Sequence, residues 1–403
     1  MKPSLGIYNL RIRGGGGGEK RTLAMAEHFS RRFDVTLLVG EDCDAGSLER
    51  YISLDLSRVH EVRLPRLLPF RGAHSWPDTI ERVAEGRHYP RLRALGLDLM
   101  INNHWGSNLP CPAAHGIYMC MFPHELRGSA ARRRGPAAWL RNRLLGMPPN
   151  TRDSYEVITA NSVFTASWVR RFWAREAAVV YSVGEPMGPA AEKQRSILHV
   201  GRFVDPSRAD NKHQHTLLEA FRGLRDLHAG GWELHFAGTV LPDRKAQGIA
   251  RELERAAAGR PVRFHFNAGF DELRELFRRA AIYWHATGLG SQPDLDPHKQ
   301  EHFGITTVEA MSAGAVPVVI NRGGQPEIVQ HQQTGFVWDS LNELAAYTRQ
   351  LAGDDRLRQR MSEAAVLAAT RFSRSAFLDR MERIVDGCLH SAGSAAGSLT
   401  ETG

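Results

Sequence analysis

The stretch Glu301–Val329, EHFGITTVEAMSAGAVPVVINRGGQPEIV, runs from a loop into a helix, through a buried strand and out into a second glycine loop. The run Val316–Ile320 is apolar throughout and rich in valine, as a strand covered on both faces must be. A strand of that kind behind a helix belongs to a parallel sheet with crossover helices.

The same rhythm extends outward from this stretch. In the second half, strands are expected at Ser196–Val200, Glu233–Ala237, Val262–Phe266 and Ala281–His285, with helices over about Thr216–Leu227, Arg244–Ala257 and Ile305–Ala313. The first half has apolar runs at Leu5–Leu10, Val35–Val39, Leu97–Asn102, Ile117–Phe122, Tyr155–Asn161 and Ala178–Val183, and helical patterns at Arg21–Arg32 and after Val163. Between the halves, Gly184–Pro189 crowds turn residues together and ends the periodicity. Two α/β domains are therefore expected, residues 1–186 and 190–371. A chain of 403 residues exceeds what one core comfortably serves. A final helix is expected over 372–390, and the Ser, Ala, Gly and Thr of 391–403 read as a disordered tail.

The net charge of +8 favours acidic partners. The cations are spread along the chain, with no aromatic-interleaved basic stretch and no zinc-finger spacing, which sets nucleic acid aside. Cys43, Cys111, Cys120 and Cys388 show no C-x-x-C spacing and fit a reducing cytoplasm. The N-terminus lacks the apolar centre of a secretory signal, and no run approaches the ~20 apolar residues that span a bilayer. Any membrane contact is expected from the surface.

The opening stretch also carries chemistry. Gly304 permits close backbone approach, and the helix behind it presents the N–H groups of Ile305 and Thr306 with a positive dipole end, suited to a diphosphate. On an ideal helix Glu301 and Glu309 would stand ~12 Å apart and ~80° out of line, so they have separate tasks. Glu301, at the mouth, suits sugar hydroxyls, and Glu309, deeper, suits a ribose, because each carboxylate oxygen accepts from hydroxyl donors.

Glu-x7-Glu with Phe303-Gly304 after the first glutamate, the EAMSAG run, the VPVV strand and GGQPEIV together resemble the retaining, two-domain (GT-B) nucleotide-sugar glycosyltransferases of family 4. Val200-Gly201-Arg202-Phe203, then Asn211-Lys212, resemble that family's strand-end arginine and lysine. TANSVFT at 159–165 resembles a strand-to-helix junction of its N-terminal domain. The resemblance implies two Rossmann-like domains facing across a cleft, with the last helix returning to the first. Arg202 and Lys212 would hold the donor phosphates and act in catalysis with Glu301, and the acceptor would sit on the first domain. It also implies retention at the anomeric carbon, with a UDP- or GDP-linked hexose as donor, a glycan, lipid-linked or small-molecule hydroxyl as acceptor, and no cofactor and no metal ligands.

Other signals are less specific. Gly14–Gly18 follows the first strand, and the resemblance makes Gly16 and Gly17 part of a loop toward the donor phosphates; a flexible turn is the alternative. His124, just after a first-domain strand, is a candidate cleft residue with a hydrogen-bonding role, though Met121 fills the slot where the family carries its histidine. Glu327 reads equally as a donor contact or as a plain acid at a helix start. Asp294-Leu295-Asp296 looks like a metal motif but lies in a proline-flanked loop, and His213 and His215 lack further ligands nearby. Residues 132–145, RRRGPAAWLRNRLL, leave two readings open: peripheral contact with anionic lipid, or an ordinary basic helix. An epimerase, a phosphorylase or a silent nucleotide-sugar binder would share the architecture. An oxidoreductase would need G-x-G-x-x-G, which Glu19, Lys20 and Arg21 spoil.

Overall fold

A computed structural model describes residues 2–12, 16–44, 54–67, 84–123, 151–208 and 210–397. The chain folds as two compact units. One holds the residues up to Ser182 and those from Phe377 onward, the other Val183–Ala376.

In the first unit the strands are β1 (Ser4–Tyr8), β2 (Asp34–Gly40), β3 (Val59–Leu64), β4 (Leu99–Asn102), β5 (His115–Cys120), β6 (Val157–Ala160) and β7 (Ala178–Val179). They pair in parallel, in the order β3-β2-β1-β4-β5-β6-β7. The inner strands β1, β2 and β4 are nearly continuous apolar runs, as a parallel sheet covered on both faces requires. Tyr8, Leu38, Leu92, Met100, Tyr118 and Tyr155 pack in one core. The helix Val163–Trp173 starts where Ser162 Oγ accepts the Thr165 N–H, a side-chain cap that the TANS sequence encodes. Sequence reading places no strand at β3, whose His60, Glu61 and Arg63 hide an edge strand behind charge.

The last helix, Arg374–Gly397, carries its residues from Phe377 into this unit. Its backbone runs on through Gly397, into the stretch expected to be a disordered tail. Alanine's intrinsic helix preference outweighs a composition that reads as tail.

The second unit contains β8 (Gln194–Val200), β9 (Glu233–Gly238), β10 (Val262–Phe266), β11 (Ala280–His285), β12 (Val316–Ile320) and β13 (Phe336–Trp338). These are also parallel, in the order β10-β9-β8-β11-β12-β13. Phe221, Phe236, Trp284 and Trp338 fill its core, and truncating such an aromatic costs about 3–5 kcal/mol. The helix expected over Thr216–Leu227 breaks at Gly223 into Gln214–Arg222 and Arg225–Ala229. In both sheets the order reverses beside the first strand, between β1 and β4 and between β8 and β11. Among the described residues no helix is long and apolar enough to cross a membrane.

Candidate functional site

In doubly wound sheets, ligands collect beyond the carboxyl ends of the strands where the order reverses. In the second unit the segments leaving β8 and β11 occupy that place. Gly201 comes directly after β8, and a Cβ there would stand 2.7 Å from Lys212 Cγ. Without a side chain at 201, Lys212 lies across the strand end and reaches Glu301, Nζ to Oε2 at 2.6 Å. From the end of β11, buried His285 brings Nε2 to 3.3 Å from the same oxygen. Burial opposes charge on Glu301, but Lys212 and the His285 hydrogen bond outweigh it, so this carboxyl sits well below the ordinary range. Burial pushes His285 down, so at neutral pH the ring is uncharged and its Nε2–H donates to Glu301. His199 is pushed down to about 3, also by burial, and its Nδ1–H donates to Trp284 O at 3.0 Å.

The second glycine loop serves Glu301 through its main chain. A Cβ on Gly323, whose φ is 61°, would stand 2.1 Å from Glu301 O, and Gly324 N–H donates to that oxygen at 2.8 Å. Two glutamines complete the support. Gln300 Oε1 accepts from Gly323 N–H at 2.8 Å, while buried Gln325 donates to Phe303 O at 3.0 Å and accepts from Thr307 Oγ1 at 2.8 Å. Gly304 has φ 118°, and a Cβ on it would strike Gln325 Nε2 at 2.0 Å. Glycine at 304 is therefore required twice, by dihedral and by space.

The helix Ile305–Ser312 begins behind it. Thr307 and Val308 turn their N–H groups back to Gly304 O, leaving those of Ile305 and Thr306 as the leading donors. Thr306 Oγ1 accepts from buried Tyr283 at 2.7 Å. Glu309 lies buried on this helix, whereas Glu301 precedes it. The ideal-helix spacing therefore does not describe the pair, because the loop at Gly304 swings Glu301 toward Lys212. Both carboxylates still act on Tyr283, whose phenol is raised first by burial and then by Glu301 and Glu309.

Arg202 is not drawn into this cluster. It is half exposed, and its Nη2 pairs with Asp210 Oδ2 at 2.9 Å. Asp296 pairs with Lys299 at 2.9 Å, His215 with Glu252 at 3.5 Å, and the short helix Gln325–Ile328 turns Glu327 O to Arg371 at 3.0 Å.

In the first unit Gly16 caps the helix Gly17–Ser30 in an extended conformation, and its carbonyl accepts from Glu19 and Lys20 N–H. Gly16, Gly17 and Gly18 thus open a helix instead of extending a loop. A buried polar network stands beside them at the β1/β4 reversal. Thr22 Oγ1 accepts from Asn9 and Asn103 at 2.8 Å each, Asn103 also donates to Gly18 O at 2.9 Å, and Arg21 Nη1 donates to Ser182 Oγ at 2.9 Å. Burial pushes Arg21 down to about 10. His124 and the basic segment 132–145 lie outside the described residues.

The family described as Glycosyl transferases group 1 matches residues 187–367. The second unit belongs to that family. A stretch of 125 residues is 30% identical to the GDP-Man:Man(3)GlcNAc(2)-PP-Dol alpha-1,2-mannosyltransferase of Dictyostelium discoideum, covering 31% of this chain and 23% of that protein. Another, of 131 residues, is 30% identical to the D-inositol 3-phosphate glycosyltransferase of Streptomyces avermitilis, covering 32% and 26%. The matching stretch therefore spans about a quarter of the length of these curated relatives. Over 96% of this chain and all of that one, the fold matches Anabaena Alr3699/HepE, solved with UDP and glucose, at TM-score 0.64 and 16% identity. It also matches WaaG, a glycosyltransferase involved in lipopolysaccharide biosynthesis, over 95% and 100%, at TM-score 0.61 and 15% identity. The chain has the two-domain α/β fold of the GT-B glycosyltransferases.

Within this group 1 domain, the residues that sequence reading passes over are His199, His285, Gln300, Gln325 and Tyr283. The two histidines and Tyr283 sit inside apolar strands and read there as core, while the glutamines signal themselves only by adjacency to Glu301 and the glycine pair. In the first unit Asn103 and His104 come directly after an apolar strand, a polar strand-end signal that points to the β1/β4 reversal.

Proposed function

We propose that this protein is a retaining glycosyltransferase that moves a hexose from a UDP- or GDP-linked donor to a glycan, lipid-linked or small-molecule hydroxyl without a metal. The observation that carries the proposal is the Lys212–Glu301 pair beside the helix start at Ile305. The relatives' names add weight, since stretches of this chain match several kinds of glycosyltransferase and one kind is named for GDP-Man. GDP-mannose is accordingly the first donor to test.

In this reading Lys212, Arg202 and the N–H groups of Ile305 and Thr306 hold the diphosphate, with Arg202 exchanging Asp210 for phosphate. Glu309 takes the ribose, and Glu301 takes sugar hydroxyls while keeping Lys212 oriented. As the bond from the anomeric carbon to the phosphate oxygen breaks, negative charge grows on the phosphate, and fixed cations and N–H dipoles stabilise that charge more than they stabilise the ground state. The acceptor oxygen bonds the anomeric carbon on the face that the phosphate leaves and passes its proton to a phosphate oxygen, so configuration is kept. The first unit takes the acceptor near the Asn9–Arg21–Asn103 network. A lipid-linked acceptor, as in the mannosyltransferases' names, would place the reaction at a membrane surface, with residues 132–145 as the contact.

The test is a donor and acceptor screen that measures nucleotide release and product anomeric configuration with EDTA present. The expected result is acceptor-dependent release of nucleoside diphosphate, independent of inorganic phosphate, and a product that keeps the donor's configuration. An inverted linkage, or epimerised donor formed without acceptor, would refute it.

A further inference from the structure

We propose that His115, Glu156 and Cys388 of the first unit form a zinc site that fastens the last helix to the sheet. His115 opens β5, Glu156 immediately precedes β6, and Cys388 lies on Arg374–Gly397, so three distant parts of the chain meet at one point. His115 Nδ1 is 2.8 Å from Glu156 Oε1, Cys388 Sγ is 2.9 Å from Glu156 Oε2, and one ligand atom from each residue lies within 4.8 Å of the others. A tetrahedral ion with bonds of roughly 2.0–2.3 Å places its ligand atoms at similar spacing. The donor set selects the metal: a sulfur and an imidazole nitrogen suit zinc, whereas magnesium and calcium take oxygen ligands.

Burial supports an ion here. Cys388 is 3% exposed, which gives an inner anchor, while the Glu156 side chain is 46% exposed and opens a path from solvent. On binding, the Cys388 S–H bond breaks, its proton leaves to water, and the sulfur electron pair forms the bond to zinc. Glu156 exchanges its two hydrogen bonds for the ion, and His115 offers the Nδ1 lone pair with its proton on Nε2. Water takes the fourth position.

The location assigns the role. The cluster stands at the amino ends of β5 and β6, the opposite end of the sheet from Asn103 and His104, so the ion is structural and takes no part in sugar transfer. Two further ties on the same helix, Arg32–Asp386 at 2.5 Å and His28–Glu382 at 3.7 Å, are partly exposed pairs of the weak kind.

Cobalt titration of the metal-free full chain tests the site. The expected result is a near-ultraviolet sulfur-to-cobalt band that saturates at one equivalent per chain and is displaced by zinc, with zinc raising the thermal midpoint. Cys388→Ser should abolish the band. His115→Gln and Glu156→Gln should weaken cobalt binding by at least roughly tenfold, the least that loss of a supporting partner costs a metal site. Absence of the band in chain with native circular dichroism would overturn the proposal, as would a band that survives Cys388→Ser. If Cys388→Ser does not fold, His115→Gln decides, and unchanged cobalt affinity there also overturns it.

Discussion

Lys212 Nζ lies 2.6 Å from Glu301 Oε2, so the segment after β8 and the segment after β11 are joined by an ion pair at the point where the strand order reverses. Each partner is the other's counter-charge. Glu301→Gln keeps the shape and removes the charge, and transfer should fall by roughly 10²–10³, the scale for losing one preorganised electrostatic group. Donor affinity should change little. Glu309→Gln should do the reverse, raising the donor's KM while sparing kcat. Steady-state kinetics on both variants checks the division; the opposite pattern would exchange the two roles.

Gly201→Ala tests the positioning of Lys212. The added Cβ would stand 2.7 Å from Lys212 Cγ and 3.0 Å from its Cβ, so the ammonium must leave Glu301. Activity should drop at least about tenfold, the effect of 1.4 kcal/mol of lost transition-state stabilisation. Gly248→Ala, a mid-helix change with nothing within 4 Å of the new Cβ, should leave activity intact. Equal kinetics for the two variants would show that Lys212 does not need its present path.

Gln325→Leu removes a side chain that bonds both Phe303 O and Thr307 Oγ1. Each group left buried without its partner costs about 1–3 kcal/mol, and the Gly304 turn between them loosens. Urea unfolding should show the loss in stability, and nucleotide binding by calorimetry should weaken with it. Stability lost with full nucleotide affinity would separate the clamp from the helix start.

Acid should destabilise the protein in two stages. The His199 imidazole is held down to about 3, so below its ordinary 6.5 the unfolded chain takes up a proton that the folded chain does not, and stability declines as pH falls from 6.5 toward 3. Glu301 sits well below its ordinary 4.5, so its contribution is full above 4.5 and is lost as pH falls through the folded value. Each group adds a slope of at most about 1.4 kcal/mol per pH unit. Urea midpoints from pH 7 down to pH 2.5 should show His199→Gln flattening the upper limb and Glu301→Gln the limb below pH 4.5. A wild-type profile level from pH 7 to pH 5 would contradict the burial of His199.

Much of the architecture was legible because buried parallel strands must be continuously apolar, and VPVVI, AAIYWH and LMIN advertise themselves. β3 was not, since an edge strand tolerates His60, Glu61 and Arg63, and neither was β13, at three residues too short for periodicity. The break at Gly223 and the helix running on to Gly397 were also missed, each decided by local backbone balance and not by pattern.

By itself, the sequence determined two α/β domains and singled out Glu301, Gly304, Glu309 and Lys212, because loop, helix and buried strand leave short-range signatures of spacing and residue type. Only the tertiary structure decided that Lys212 and His285 meet on one oxygen of Glu301. It also decided that Gly323 and Gly324 support the Glu301 main chain, that Arg202 rests on Asp210, and that Cys388 lies beside His115 and Glu156. Those relationships join residues separated by up to 273 positions only through strand order and helix return, which a local pattern cannot express.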